Sequence, residues 1–589
     1  MFSNQYILFI IHFEDYGLID IFVLHYKLMR HFTLLFFLFQ LSLGFAQYPK
    51  DYFRSPLDID LVLAGTFAEL RSNHFHAGLD IKTQQTTGLD VFAVADGYVS
   101  RIKVSHYGYG KALYITHPNG YVSVYAHLEK FGDKIQKYIK ECQYAKESYE
   151  VEMFPKKSEL PVSKGDIVAY SGNTGSSGGP HLHFEIRDNA ERPINPLLFG
   201  YEVADSKLPD IYSVYAYPKN SNSHINNKTK RTELRLIPNN NGDYFVEPIE
   251  AYGEIGFGIE SIDQLDYAYN KNGVSNIQTF FNGYKNFEID FKRFSFSETK
   301  HLNRYIDYQI YKDKNDRIQK LFVQKGNVLS MFKDVENNGY VVIEDSTDTV
   351  YRARVRDFKG NETWLNIPIK GKRPEEILEN YELNPNQFIK AEETNKLEKG
   401  NVTVTFYPNT FYDDFHINFG VSNDTLRLHQ DVIPLMKNFS IQFDISNYST
   451  EDKNKLFIAQ LYGYYQRPSY ISTKRIGNKL SARSKTLGNF TLATDTIRPT
   501  IRPLNFRDGQ WVSKLNELKL KITDDLSGIS NYRATLNGKW ILMEYEYKKN
   551  RLTYDFQDNI IDATENKFKL IVTDNVGNSS TFEATFFRK

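Results

Sequence analysis

Cysteine is almost missing from this 589-residue chain, which holds only Cys142. That excludes an intrachain disulfide and every cysteine-cluster metal site, so any bound metal must rely on histidine and carboxylate. An excess of one charge is missing too: Lys and Arg total 72 and Asp and Glu total 72, a formal net charge of zero. A general nucleic-acid binder would carry a basic surplus, and no nucleic acid is expected as a partner. Tryptophan is scarce at 3 residues, although Tyr (41) and Phe (43) bring the aromatic share to 15%. The mean hydropathy of −0.49 excludes a polytopic membrane protein. At roughly 150 residues per domain, the length allows about four domains.

What is present begins with a targeting segment. Residues 29–46 have a basic start at Arg30 and His31, an apolar run from Phe32 to Leu43, and small residues at Gly44 and Ala46. This is the pattern of a secretory signal peptide. No cysteine follows it, which excludes lipoprotein processing. Residues 1–28, with Glu14, Asp15 and Asp20 among apolar residues, are read as an upstream start chosen in error, Met29 being the true start. The competing reading is an N-terminal membrane anchor, for which the run is short against the ~20 residues of a span. Export without disulfides points to the periplasm or cell envelope of a bacterium.

Residues 47–200 carry most of the Gly-rich turns and a concentration of histidine. Strand-like runs cover 89–104, 112–128, 166–172 and 181–187, with period-2 alternation and Asn-Gly or Asp-Gly turns. Over about 133–147 the spacing of Ile135, Tyr138, Ile139 and Cys142 predicts an inserted amphipathic helix, with Cys142 as a small core residue. From 201 onward the pattern is all-β and contains a repeat. GVSNIQTFFNG (273–283) matches GISNYRATLNG (528–538) at five of eleven positions, and VRDFKGNE (355–362) parallels VTDNVGNS (572–579). These pairs define immunoglobulin-like β-sandwiches over 201–371 and 496–589. Residues 372–400 are charged and read as a linker, and 401–495 as a further β-sandwich.

The chemistry concentrates in His74–Asp80 (HFHAGLD), in His127 of YAHL, and in His181 and His183 of HLH, which follows the loop 171–180. Residues i and i+2 of a strand share a face about 6–7 Å apart, so His181 and His183 can serve one site. His76 and Asp80 would lie about 13 Å apart on an extended strand, so the chain must turn between them, and Ala77-Gly78 allows it. Two imidazoles and one carboxylate make a three-ligand site with an open position, the arrangement of catalytic zinc. Two of His76, His127, His181 and His183 are left over to move protons. A Lewis acid, an activated water and a proton shuttle are the parts that amide hydrolysis needs. His117, before a Pro-Asn-Gly turn, reads as structural, His74 as a non-ligand, and His106 as a residue with a groove role to be tested. The loop 171–180 lacks the Gly-Lys-Ser/Thr ending of a phosphate cradle.

HxxxD, a lone strand His, and HLH after a Gly-rich loop, within GLDVFAVADGYVSRI, GYGKALYITHPNGYVSVYAHL and VSKGDIVAYSGNTGSSGGPHLHFEIR, resemble the lysostaphin-type (LytM-type) zinc endopeptidase family over about 58–200. The resemblance implies a mainly β chain: a small antiparallel β-sheet metallopeptidase domain of the duplicated-hybrid-motif type, followed by the β-sandwiches. It implies one Zn2+ held by His76, Asp80 and His183, with His127 and His181 flanking the reacting water. It implies peptidoglycan stem peptides or cross-bridges as substrate, and leaves the sandwiches for wall positioning or an envelope protein partner. The roughly 34 residues between YAHL and VSKGD exceed the family's usual connection. Two further readings stand beside this one: a non-catalytic envelope scaffold or activator of other wall hydrolases, and a protease acting on envelope proteins.

Overall fold

The structure is a computed structural model that describes residues 48–374, 387–558, 560–561 and 563–589. Residues 29–46, expected to be a signal peptide, and the upstream residues 1–28 lie outside the described residues. The chain divides into two units. In the smaller, whose described part is residues 48–53 and Leu198–Gly200, the Phe199 ring packs on Tyr48 and Phe53 at 5.1 and 5.4 Å. The larger unit comprises Arg54–Leu197 with Tyr201–Lys589.

Its first domain is built on one antiparallel sheet. The strands are β1 (Leu63–Gly65), β2 (Leu79–Lys82), β3 (Gly97–Val104), β4 (Lys111–Thr116) and β5 (Val122–Ala126), then β6 (Val151–Met153) and β7 (His181–Arg187). They lie in the order β1-β2-β7-β5-β4-β3-β6. Alternation along β7 explains its central place. Leu182, Phe184 and Ile186 are fully buried on one face, while His181, His183, Glu185 and Arg187 occupy the other. The register then sets the chemistry, because His183 lies directly opposite Asp80 of β2 and Ala126 of β5. Cross-strand partners project from the same face within side-chain reach.

Helix α1 (Asp133–Lys146) occupies the insertion and buries Ile135, Ile139 and Gln143. Cys142, expected in the core, is only half-buried. One turn of 3.6 residues carries Gln143 rather than Cys142 onto the Ile135–Ile139 stripe, and Gln143 Nε2 donates to the Tyr149 carbonyl at 2.7 Å. Gly78 is not the turn glycine its place between His76 and Asp80 suggests. Its φ is not left-handed; instead, a Cβ there would stand 2.2 Å from the Phe184 carbonyl oxygen. Glycine is required at this position by the close approach of β7.

The first β-sandwich is organised by the 14-residue strand Ile249–Ile262, which hydrogen-bonds to two sheets along its length. The middle one has two five-stranded sheets around Phe406, Phe439, Phe443 and Phe490, and the last a four- and a five-stranded sheet around Leu520, Tyr554, Leu570 and Phe586. The linker expected over 372–400 is shorter than the sequence indicates. Gln387–Ile389 and Asn395–Lys399 are strands of the middle domain, paired with Phe415–Ile417 and Val402–Phe406. Their inward residues Ile389 and Leu397 are buried, and the charged residues between them face solvent, which is why composition concealed them.

One buried charge in the first sandwich gives a pH prediction. Lys320 Nζ donates to Gln324 Oε1 at 2.6 Å, and burial pushes its amine down to about 7. In the unfolded chain it titrates near 10.4. Between these values the unfolded state binds the extra proton, so stability rises as pH rises from about 7 to 10. Hydrogen-exchange protection of Ile249–Ile262, whose Ile259 pairs with the neighbouring Gln319, should therefore increase from neutral to alkaline pH. Lys320→Met should flatten that rise; the same slope in both proteins would refute the assignment.

Candidate metal centre

His76, Asp80 and His183 converge on one point. His76 Nε2, His183 Nδ1 and Asp80 Oδ1 are mutually 3.0, 3.0 and 2.9 Å apart, and all three residues are buried. Each imidazole is fixed through its other nitrogen. His76 Nδ1 lies 2.7 Å from the Thr66 carbonyl and donates to it, which leaves the Nε2 lone pair directed inward. His183 Nε2 lies 2.9 Å from Glu185 Oε1 and donates to it, leaving Nδ1 inward. Asp80 turns Oδ2 outward to accept from Arg71 Nη2 at 2.9 Å, and Arg71 also donates to Glu69 at 3.1 Å.

The support beneath His183 was not singled out in the sequence. Glu185 is fully buried, accepts from Arg187 Nε at 2.7 Å and from the Tyr109 hydroxyl, and holds His183 through Nε2. Tyr109 stacks on His183 with ring centroids 5.1 Å apart. The period-2 rule that paired His181 with His183 extends to Glu185 and Arg187, so the signal was there. Such carboxylate–histidine pairs orient metal ligands and raise their basicity.

Two more imidazoles line the same spot. His127 follows β5 in a left-handed conformation (φ 60°), and its Nδ1 donates to the Thr174 carbonyl at 2.9 Å. His181 Nδ1 donates to the Gly179 carbonyl at 2.9 Å, and its Nε2 lies 3.4 Å from Asp80 Oδ1. Their ring centroids are 4.8 Å apart. Both rings therefore present Nε2 to the site. His74 is exposed, with Nδ1 bonded to the Ser72 carbonyl at 2.8 Å. His117 bridges the Asp96 carbonyl and Ser123 Oγ at 2.9 and 2.8 Å. His106 stacks on Tyr149 at 4.8 Å and packs against Tyr545 of the last sandwich.

The electrostatics follow from burial and neighbours. Burial opposes the Asp80 charge, but His76, His181 and His183 together hold its carboxyl well below the usual range. Burial also works against a charged His183, yet its hydrogen bonds to Asp80 and Glu185 raise it to about 9. For His127, burial and the neighbouring His183 and His181 push the ring down to about 3, so it is neutral at physiological pH.

The first and last sandwiches brace the segments that carry these residues. Thr66, whose carbonyl holds His76, accepts through Oγ1 from the Gly273 amide at 3.1 Å, and Phe75 N donates to Thr299 Oγ1 at 2.8 Å. From the last sandwich, Lys548 Nζ donates to the Asn173 and Ser177 carbonyls at 2.5 and 3.1 Å, gripping the Gly-rich loop before His181. The insertion is engaged there as well. Tyr144 donates to Asp558 at 2.6 Å and packs on Trp540 at 5.3 Å.

An antiparallel sheet that brings two imidazoles and a carboxylate together, with two further imidazoles beside them, defines a domain of the metallopeptidase class. Residues 74–146 and 144–196 match peptidase family M23, so the chain carries an M23 domain; residues 386–495 match the Zu5-like domain. The DD-carboxypeptidase/endopeptidase Mpg of Neisseria meningitidis serogroup B is 34% identical over 128 residues, 22% of this chain and 23% of that protein. The peptidoglycan DD-endopeptidase ShyA of Vibrio cholerae is 30% identical over 131 residues, 22% of this chain and 24% of its own. Among solved structures, a zinc containing peptidase from Vibrio cholerae is 26% identical over 26% of this chain and 40% of that one, with a TM-score of 0.19. The chain thus spans about a quarter of the length of the curated relatives it matches.

Proposed function

We propose that this chain is an exported, zinc-dependent endopeptidase that hydrolyses peptide cross-links of bacterial peptidoglycan. The observation that carries the reading is the inward convergence of His76 Nε2, Asp80 Oδ1 and His183 Nδ1 within 3.0 Å, beside two further imidazoles. The donor set fits zinc: two nitrogens and one oxygen, each fixed by a partner on its far side, with an open position left for chemistry. When bound, zinc supplies Lewis acidity toward the scissile carbonyl and lowers the pKa of water.

The remaining steps belong to the chain. His127 is neutral and its Nδ1 proton is committed to Thr174, so Nε2 is the atom that accepts a proton from the attacking water. His127 then returns that proton to the leaving amine, while His181, fixed in the same way by Gly179, presents Nε2 from the other side to orient the attacking water. Peptidoglycan as substrate rests on the names of the matching DD-endopeptidases, and export on the pattern of residues 29–46.

Incubating the purified full chain with isolated sacculi tests the reading. Mass spectrometry should show cross-linked muropeptides converted to monomers. The conversion should stop with 1,10-phenanthroline and return when zinc is restored. Equal conversion with and without chelator would sink the metal mechanism. Cleavage confined to envelope proteins would move the activity to a different substrate.

A further inference from the structure

The repeat in the first and last sandwiches contains more than strand pattern. In the first, Asp205, Asp263 and Asp357 each place a carboxylate oxygen within 4.8 Å of the others; in the last, Asp495, Asp524 and Asp574 do the same. The two sets are equivalent residue by residue. Asp205 and Asp495 stand four residues before Pro209 and Pro499. Asp263 and Asp524 open Asp-Gln-Leu and Asp-Asp-Leu, and Asp357 and Asp574 open the two Asp-x-x-Gly-Asn turns. The turn asparagines do the same work twice. Asn361 donates to Asp357 Oδ1 from its amide (2.9 Å) and to Oδ2 from Nδ2 (2.7 Å), and Asn578 donates likewise to Asp574 (2.8 and 2.7 Å).

Independent of the acidic count, both places hold buried polar atoms without partners. Asp263 is 3% exposed and its Oδ1 meets no donor. Asn272, bridged to Asp263 across an antiparallel pair and so projecting from the same face, is 2% exposed with both amide atoms unpartnered. In the last sandwich Ser527 is 2% exposed; its amide donates to Asp495 Oδ2 at 3.0 Å while its Oγ has no partner. Buried polar groups are rarely left unpaired, and three carboxylates drawn together repel one another unless a positive charge joins them.

We propose that the first and last sandwiches each bind one Ca2+ ion, between Asp205, Asp263 and Asp357 and between Asp495, Asp524 and Asp574. The donors decide the ion. All are hard oxygens with no imidazole or thiolate, which suits calcium or magnesium rather than zinc. Magnesium keeps several waters and resists an all-protein cage, whereas calcium accepts six to eight oxygens in flexible geometry. Asp263 and Asp357, at 3% and 2% exposure, form such a dry cage, and so do Asp495 and Asp574, at 2% each.

The test uses the full chain, zinc-loaded and dialysed free of calcium, titrated with CaCl2 in the presence of MgCl2. Equilibrium dialysis with radioactive calcium should give two equivalents per chain, with a rise in melting temperature. Asp263→Asn and Asp524→Asn should each remove one equivalent, and the double variant both, with zinc content unchanged in all three. Tyrosine-sensitised Tb3+ luminescence of the unmodified chain reads the same sites without substitution, and CaCl2 should quench it where MgCl2 does not. No calcium uptake at millimolar concentration, full uptake by the double variant, or equal displacement of Tb3+ by MgCl2 would overturn the proposal.

Discussion

His183→Ala should strip the zinc from the chain and abolish hydrolysis of sacculi. His183 contributes an inward nitrogen, and it is also the link between the metal site and the buried Glu185–Arg187–Tyr109 group. Loss of an outer partner of a metal ligand costs about 10–100-fold in affinity or activity, so loss of the ligand should exceed that range. Elemental analysis after dialysis should find one zinc per chain in the wild type and none in the variant. Circular dichroism should stay unchanged, since Leu182, Phe184 and Ile186 hold β7 in the core independently. Glu185→Gln is the graded companion: it keeps the shape, weakens the grip on His183 Nε2, and should fall within the 10–100-fold range. Wild-type zinc content in His183→Ala would remove the residue from the ligand set.

His181→Ala and His127→Ala should separate turnover from metal binding. Neither ring belongs to the converging triad, so zinc content should remain at the wild-type level. Positioned proton transfer contributes roughly 10²–10⁴-fold, and kcat should fall by that order with little change in KM. The two variants should not multiply when combined, because residues that act on one proton path lose their effect together. A variant that loses zinc along with turnover would instead make its histidine a ligand.

The site was legible wherever it depended on local spacing. HLH places two imidazoles on one strand face, and HxxxD needs only a turn. The meeting of His183 with Asp80 was legible only through the family resemblance; local spacing is silent on it, because register is a property of two strands 103 residues apart in sequence. The role of Gly78 depends on the same register, since its close neighbour is the Phe184 carbonyl of β7. Cys142 shows the limit of a short helical pattern. The pattern identified the helix, but one residue of phase decides which side chain is buried, and a polar Gln143 with a backbone partner took the place. Strands 387–389 and 395–399 escaped because they are only three and five residues long, and charged neighbours dominate so short a run. No pattern in either segment indicates that the insertion helix and the last sandwich meet, since Tyr144 and Asp558 become neighbours only in the folded chain.

The grip of Lys548 on the loop before His181 joins residues 375 positions apart. Read in time rather than in space, it is a late event. Chains are made from the N-terminus at about 5–20 residues per second, so the Gly-rich loop waits roughly 20–75 s before its brace exists. The strands and histidines of the peptidase sheet are all synthesised well before it, and the finished wall beside them exists only once Lys548 has been made.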